Sequence, residues 1–565
     1  MIGRGCIEAL RGGGREAAVG GKRSDLHPAS SADPATERRR ALGGGRPSPG
    51  DAAEAASFRR SLTRRYRGFG KLRRMSIALF SAASPADAAA RPFEPAPLLI
   101  AFAVLALAAF SPAALNDGDT WTHVATGQWI VAHGAIPRVD PFSYTFAGQP
   151  WIAHEWLSEV LMALAYCAAG WSGVALLTGA AAATATYVMA RRAARDLSGV
   201  ALLVLVALAA LLVAPSLLAR PHILALPLLA LWADALFSAR EAGRAPPIVL
   251  AALMALWANL HGGFAFGLAL IAPFALEALL AATPEARLKT AYDWGLFAVA
   301  SVAAAALTPF GVEGLLFPIR LLGLAHLSKI GEWRPENFAH PGPMELALLA
   351  LIAFALIRPT RLPWLRVALL VGLIHMALQH GRHQTLLAML APMLLAPAIR
   401  SALGERAPRT LTPASSAVVL AAAAVALVLA GARLAVPIVR HDSASSPIAA
   451  LAAVPPALRA EPVLNGYGVG GYLIGAGVRP FVDGRADLYG DAFLDLYGKI
   501  AAGDPAALDD AVTRWRVAWT IFPPSEPIVA VIDRQPGWRR LYADKVAVVQ
   551  VREDAPGAEG LREGN

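Results

Sequence analysis

The sequence is short of charge and nearly empty of cysteine. Asp, Glu, Lys and Arg make up only 16% of its 565 residues, and 56% are hydrophobic. Soluble globular chains carry roughly a quarter charged residues, so a chain made only of soluble domains is excluded. Its two cysteines, Cys6 and Cys167, are too few for a disulfide framework, and no Cys–His cluster has zinc spacing. Redox and structural-zinc classes fall away. A basic excess is also missing from most of the chain. Residues 1–74 hold 17 Lys/Arg against 7 Asp/Glu, which accounts for the whole formal charge of +10. The remainder is neutral, which removes the case for a nucleic-acid partner.

What is present divides into three parts. Residues 1–74, rich in Gly, Arg, Ser and Pro, have no apolar periodicity and are expected to be disordered. The composition changes abruptly at Met75. Either Met75 is the true start, or the upstream stretch is a basic arm lying on anionic lipid. Residues 75–437 form an expected multi-span membrane domain, and residues 438–565 a small α/β domain. Apolar runs long enough to cross a bilayer begin near Pro97, Val174, Gly199, His222, Ile248, Phe264, Trp294, Met344, Leu362, Thr385 and Ala414, about 11 spans. The fold class expected is therefore an α-helical polytopic membrane protein with a C-terminal extracytoplasmic α/β domain.

Short-loop Arg and Lys set the expected orientation. One face collects Arg191, Arg192, Arg195, Arg240, Arg244, Arg287, Lys289, Arg358, Arg361, Arg366, Arg400, Arg406 and Arg409. That face is read as cytoplasmic, with the N-terminus on it and the C-terminal domain outside. The stretch Trp156–Ala169, interrupted by Ser158 and Glu159, is read as an interfacial or re-entrant helix within a first outer loop of residues 116–173.

The polar residues then fall on the outer side. "NDGDTWTH" carries Asp117, Asp119 and His123, and "WIAHEW" carries His154 and Glu155. "ARPH" brings Arg220 and His222, "WANLHGG" Asn259 and His261, "GEWRPENF" Glu332, and "QHGRHQ" His380, Arg382 and His383. Ionisable groups at membrane depth are costly and usually functional. Each has a plainer reading: Asp117 as a helix cap, Arg220 as a snorkelling side chain, Asn259 and His261 as interhelical glue. Their shared face favours function. Carboxylates suit a general base, and Arg with His suits a departing phosphate. Carboxylates and histidines are also donors for a divalent cation, but no spacing makes a metal specific.

A span followed by "NDGDTWTHVATGQWIVAHGAIPRVDPFSYTFAGQPWIAHEWL" resembles the first outer loop of the GT-C superfamily of membrane glycosyltransferases, which includes protein O-mannosyltransferases and aminoarabinose transferases of lipid A. "EWLSEVL", "WANLHGGF" and "GGYLIGAGVRPFVDGRADLYGD" resemble a bacterial group of multi-span proteins classed with glycosyltransferases by layout. The resemblance implies an inverting transfer of a sugar from a polyprenyl-phosphate donor to a lipid or glycan acceptor, at the outer face of a bacterial inner membrane. It implies Asp119 as base with Asp117 beside it, and Arg220, Arg382 and His383 as phosphate-binding groups. Gly118 separates two acids that the family places side by side, so which carboxylate is the base stays open. A transporter or flippase of lipid-linked substrates, and a non-catalytic membrane assembly protein, are the alternatives.

In the C-terminal part, "EPVLNGYGVGGYLI", "RPFVDGRADLYG", "VAWTIFPP" and "KVAVVQVRE" read as strands. Asp491–Ala502 and Ala506–Trp515 read as helices. Gly466, Gly468 and Gly471 satisfy G-x-G-x-x-G, but Asp483 comes too early for a dinucleotide site. Tight turning and close backbone contact are expected of them instead. Asp483, Arg485 and Asp487 are read as one side of an extended segment, forming either a local ion-pair network or a ligand-binding edge.

Overall fold

The computed structural model describes residues 94–404 and 414–557. The basic tail, Met75, Cys6 and with it any pairing of the two cysteines, and Arg406 and Arg409 lie outside them. The described residues belong to one compact unit, Ala90–Asn565.

Thirteen helices precede the C-terminal domain among the described residues: α1 (Ala96–Phe110), α2 (Asp119–His133), α3 (Trp156–Ala193), α4 (Gly199–Val213), α5 (Pro221–Glu241), α6 (Ala251–Leu260), α7 (Phe264–Ala281), α8 (Pro284–Ala305), α9 (Gly311–Leu322), α10 (Pro343–Ile357), α11 (Trp364–Gln379), α12 (Gln384–Ala402) and α13 (Ser416–Ala435). Among the described residues six helical stretches are long and apolar enough to cross a membrane: Trp156–Ala193, Gly199–Ser216, Pro221–Glu241, Phe264–Ala281, Gly381–Ala402 and Ser416–Ala435. Ala96–Phe110, Ile248–Leu260, Pro343–Ile357 and Trp364–Gln379 are apolar but shorter. The 22-residue α8 carries Glu285, Arg287, Lys289 and Asp293 in its first half. Large apolar side chains such as Leu420, Leu427 and Val428 point outward from α13, as lipid-facing residues do. The chain is a membrane protein.

The stretch 156–169 and the expected span after it are two helical segments that meet at a kink within α3. At Ala169 and Gly170 the helical geometry breaks, with Gly170 at φ 57 and ψ −146. Side chains rarely tolerate that conformation, which glycine adopts freely. The bundle core is aromatic and close-packed. Trp232 stacks on Phe297 at 5.3 Å, and Phe237 meets Phe274 edge-on at 4.9 Å. Arg192 and Arg366 lie over the Phe237 ring, and each has an acid: Arg192 pairs with Asp234 and Glu241, and Arg366 with Glu277, which Arg240 also meets.

The C-terminal domain contains α14 (Ile448–Ala452), α15 (Pro456–Arg459), β1 (Val463–Asn465), α16 (Gly470–Gly475), α17 (Ala486–Ala501), α18 (Pro505–Trp515), β2 (Trp519–Phe522), α19 (Pro527–Ile532), β3 (Trp538–Ala543) and β4 (Val548–Arg552). The strand order is β1-β2-β4-β3. β1 and β2 run parallel, with Val463 opposite Trp519, and the other pairs are antiparallel. A parallel pair needs a crossover, supplied here by α16 to α18.

Two segments expected as strands are not. "GGYLIG" is the short helix α16, and "FVDGRAD" is a loop entering α17. In the second, Asp483 Oδ1 accepts the Arg485 amide at 3.0 Å and closes a turn where a strand would need extended pairing. β3 went unread because its "WRRLYA" is polar and only half-buried, as suits an edge strand. The loop between α2 and α3 joins this domain's core. Tyr144 donates to the Val463 carbonyl at 3.0 Å, and Thr145 to that of Phe481 at 2.7 Å. Trp151 and Ala153 pack into the same apolar cluster as Phe481 and Leu494.

Candidate functional site

The acidic segment sits where α2 begins. Asp117 caps that helix, its Oδ2 accepting from the Thr120 amide at 3.1 Å and hydroxyl at 3.3 Å. Asp119 starts the helix one residue after Gly118. Arg220 precedes Pro221, which holds it extended (φ −129, ψ 160) and frees its side chain to reach back. Its guanidinium grips Asp117 in a fork, Nε to Oδ2 at 2.7 Å and Nη2 to Oδ1 at 2.5 Å. Nη2 also lies 3.1 Å from Asp119 Oδ2, and Nη1 bonds Glu332 at 3.2 Å. Glu332 passes the chain on to Arg382 at 3.4 Å, whose guanidinium lies 4.2 Å over the Trp333 ring.

A second chain runs inward along facing stripes of α2 and α3. Asp119, His123 and Gly127 recur every fourth residue on one helix, and Glu155, Glu159 and Ala163 on the other, so each set shares a face. A Cβ on Gly127 would lie 1.9 Å from the Glu159 carbonyl oxygen, which is why the helices can approach there. His123 Nδ1 lies 3.2 Å from Glu159 and 4.0 Å from Glu155. Glu155 also meets His154 at 3.6 Å and His261 at 3.5 Å. Glu159 Oε2 is buried and has no hydrogen-bond partner among the described residues.

The C-terminal domain lies on the acidic segment. A Cβ on Gly118 would fall 2.4 Å from the Gly468 carbonyl oxygen, and one on Gly471 would fall 2.1 Å from that of Gly118. Gly118 itself has ordinary helical dihedrals (φ −67, ψ −38). Closeness, not backbone freedom, requires glycine there, and it explains why a glycine separates the two acids. Gly484 packs directly on Asp119, where a Cβ would lie 2.0 Å from Oδ1. Arg440 anchors the linker, lying over both Trp121 and Trp171 and bonding Ser446, to which Trp121 also donates.

These contacts separate the two carboxyls electrostatically. Burial pushes Asp117 up, but Arg220 outweighs it and the group ends below its ordinary value. Burial also raises Asp119; Arg220 opposes this, Asp117 and Glu332 reinforce it, and the group ends above the ordinary value. Burial lowers His123 and His154, yet their glutamate partners win and both are raised. Glu155, pushed up by burial, is held below the carboxylate range by His154, His261 and His123. Burial brings His261 down to about 3. Two neighbouring carboxyls driven apart in this way can divide acid and base roles. The Asp119 side chain keeps 30% of its surface exposed, so solvent reaches it.

Of the residues singled out from sequence, Asp117, Asp119, Arg220, Glu332 and Arg382 form the first chain, and His123, His154, Glu155 and His261 the second. The others make no ion pair within these chains among the described residues, although the His222 ring lies 6.2 Å from that of His261. Asn259 accepts from Trp156 at 2.8 Å and donates to the carbonyls of Ala255 and Leu307, a tie between helices. His222 pairs with the Ser216 carbonyl at 2.9 Å, and His380 with that of Trp333 at 2.7 Å. His383 lies edge-on to the rings of Trp333 and His380. Glu159, Gly484 and Tyr467 escaped the sequence reading. The four-residue spacing would have found Glu159; nothing local marks the other two. Among the described residues no group of three or more His, Cys, Asp or Glu is placed to hold a metal ion.

No family model matches the chain, and no curated protein does. Among solved structures it is similar to the oligosaccharyltransferase of Archaeoglobus fulgidus in its apo form, at 13% identity and a TM-score of 0.45, over 75% of this chain and 69% of that one.

Proposed function

We propose that the chain is an inverting glycosyltransferase that moves a sugar from a polyprenyl-phosphate donor to a lipid or glycan acceptor at the outer face of a bacterial inner membrane. One observation carries the reading: Arg220 holds Asp117 and Asp119 together while their proton affinities are driven in opposite directions. The likeness of the first outer loop to GT-C enzymes supports it.

In this reading Asp119 removes the proton as the acceptor oxygen attacks the anomeric carbon from the face opposite the phosphate. The carbon–oxygen bond to phosphate breaks with its electron pair going to the phosphate oxygen. Arg382 neutralises that charge. Among the described residues its guanidinium hydrogen-bonds Glu332 alone, whereas Arg220 is committed to three carboxylates. Phosphate contact is therefore assigned to Arg382, with Arg220 fixing Asp117 and Asp119. Asp117, locked low by its fork, stays an anion and keeps Arg220 in place.

Purified protein incubated with radiolabelled polyprenyl-phosphate sugars and a membrane lipid extract, with and without EDTA, tests the reading. A labelled lipid or glycan product is expected. Label remaining on every donor offered contradicts it.

A further inference from the structure

"VDGRAD" divides into two roles. Asp483 and Arg485 are buried and mutually satisfied: Arg485 bonds Asp483 at 2.8 and 2.7 Å and Asp140 at 2.7 Å, and Tyr489 donates to Asp483 at 2.8 Å. Asp487, in the first turn of α17, takes no part. Among the described residues no other side chain hydrogen-bonds its carboxylate, and it is close enough to His154, Arg485 and Glu155 to feel their charges. Gly484, three residues earlier, touches Asp119. The carboxylate thus lies within reach of the charges of His154 and Glu155 in the second chain, on the segment whose Gly484 touches Asp119 in the first.

Tyr467 reaches the same place from another segment. It precedes Gly468, whose carbonyl rests on Gly118, and its amide is pinned by a bond to the Tyr497 hydroxyl at 2.7 Å. Its own hydroxyl is buried and, among the described residues, has no hydrogen-bond partner. Asp119, Asp483 and Asp487 all act on it, and with burial they keep it protonated. A buried hydroxyl without a partner costs stability unless something else satisfies it.

We propose that Asp487 and Tyr467 form a subsite for the hydroxyl groups of the transferred sugar, contributed by the C-terminal domain and facing Asp119. A carboxylate accepts from two adjacent ring hydroxyls, and a neutral phenol donates to a third oxygen. Charge-assisted bonds of this kind are the stronger sort. The inference rests on the glycosyl-transfer reading and adds to it: the C-terminal domain selects the sugar while the bundle end handles the phosphate.

The test measures binding rather than turnover. The full chain in detergent is titrated with a panel of decaprenyl-phosphate-linked hexoses and pentoses and with bare decaprenyl phosphate. Thermal unfolding is followed in parallel. The wild type is expected to prefer one sugar-bearing lipid over the bare phosphate. Asp487→Asn and Tyr467→Phe are each expected to weaken that lipid about ten-fold or more, leave bare phosphate unchanged, and so erase the preference. Tyr467→Phe, which removes an unpartnered hydroxyl, is expected to unfold no earlier than wild type. Variants that keep the wild-type preference overturn the subsite and leave the transfer reading intact. Variants that weaken bare phosphate equally, or unfold in proportion to their loss, make the residues structural and also overturn it. A wild type without preference for any sugar overturns the transfer reading and the subsite together.

Discussion

Gly118→Ala is the sharpest perturbation the interface offers. The added methyl carbon would sit 2.4 Å from the Gly468 carbonyl oxygen and 3.4 Å from its carbon. A carbon–oxygen contact normally settles at about 3.3–3.6 Å, so the two segments must separate by roughly 1 Å. Neither yields easily. Asp117 is held by Arg220, and Tyr467 beside Gly468 is held by Tyr497. Overpacking of this kind costs about 1–3 kcal/mol. A shift of about 1 Å at a reacting group costs on the order of a hundred-fold in rate. Gly468→Ala is the internal control, because a methyl group there meets no atom of the described residues within 4 Å. Thermal unfolding and transfer rate should both fall for Gly118→Ala, and both should hold for Gly468→Ala. If Gly118→Ala unfolds and turns over as wild type does, the docking of the C-terminal domain on the acidic segment is wrong.

Three further outcomes follow from the same geometry. Gly484→Ala would push against a movable carboxyl, 2.0 Å from Asp119 Oδ1; transfer should drop by roughly a hundred-fold with little change in unfolding, and an unchanged rate would separate Gly484 from the base. Asp483→Ala should destabilise the protein by about 3–5 kcal/mol in chemical denaturation, because it strips a buried arginine of its main partner; a loss under about 1 kcal/mol would show that the pair is not buried in solution. The base must be deprotonated to act, and Asp119 is raised above its ordinary value of 3.8, so the rate should climb with pH through a point above that value. Asp117→Asn removes a like charge and should move that limb to lower pH; a limb that stays put or moves upward would assign it to another group.

The helical bundle was legible because long apolar runs have few other outcomes. Every span start from Pro97 to Ala414 lies in or beside a helix. The join at Gly170 was not, since one glycine does not say whether it ends a helix or bends it. In the C-terminal domain, β2 and β4 were read correctly from their β-branched runs. "GGYLIG" is a short apolar run bounded by glycines, as a strand would be, but folds as a helix whose glycines lie against Gly118 and Val482. Asp117, Asp119 and Arg220 were each visible as unusual residues near apolar runs. Their shared fork was not, because it joins positions 103 residues apart. Glu159 reads as an interruption in an apolar stretch, although its spacing from Glu155 matches that of His123 from Asp119. Asn259 was the opposite case: conspicuous in sequence, and occupied with holding helices together.

Asp119 is the group on which the proposed transfer depends. Wild type and Asp119→Asn, purified in parallel and matched for thermal unfolding, are given the same radiolabelled polyprenyl-phosphate sugar and acceptor extract, and the initial rate of product formation is measured. Transfer by wild type and a loss of at least about a thousand-fold in the variant is the expected result. Equal rates in the two proteins would contradict the assignment of Asp119 as the base.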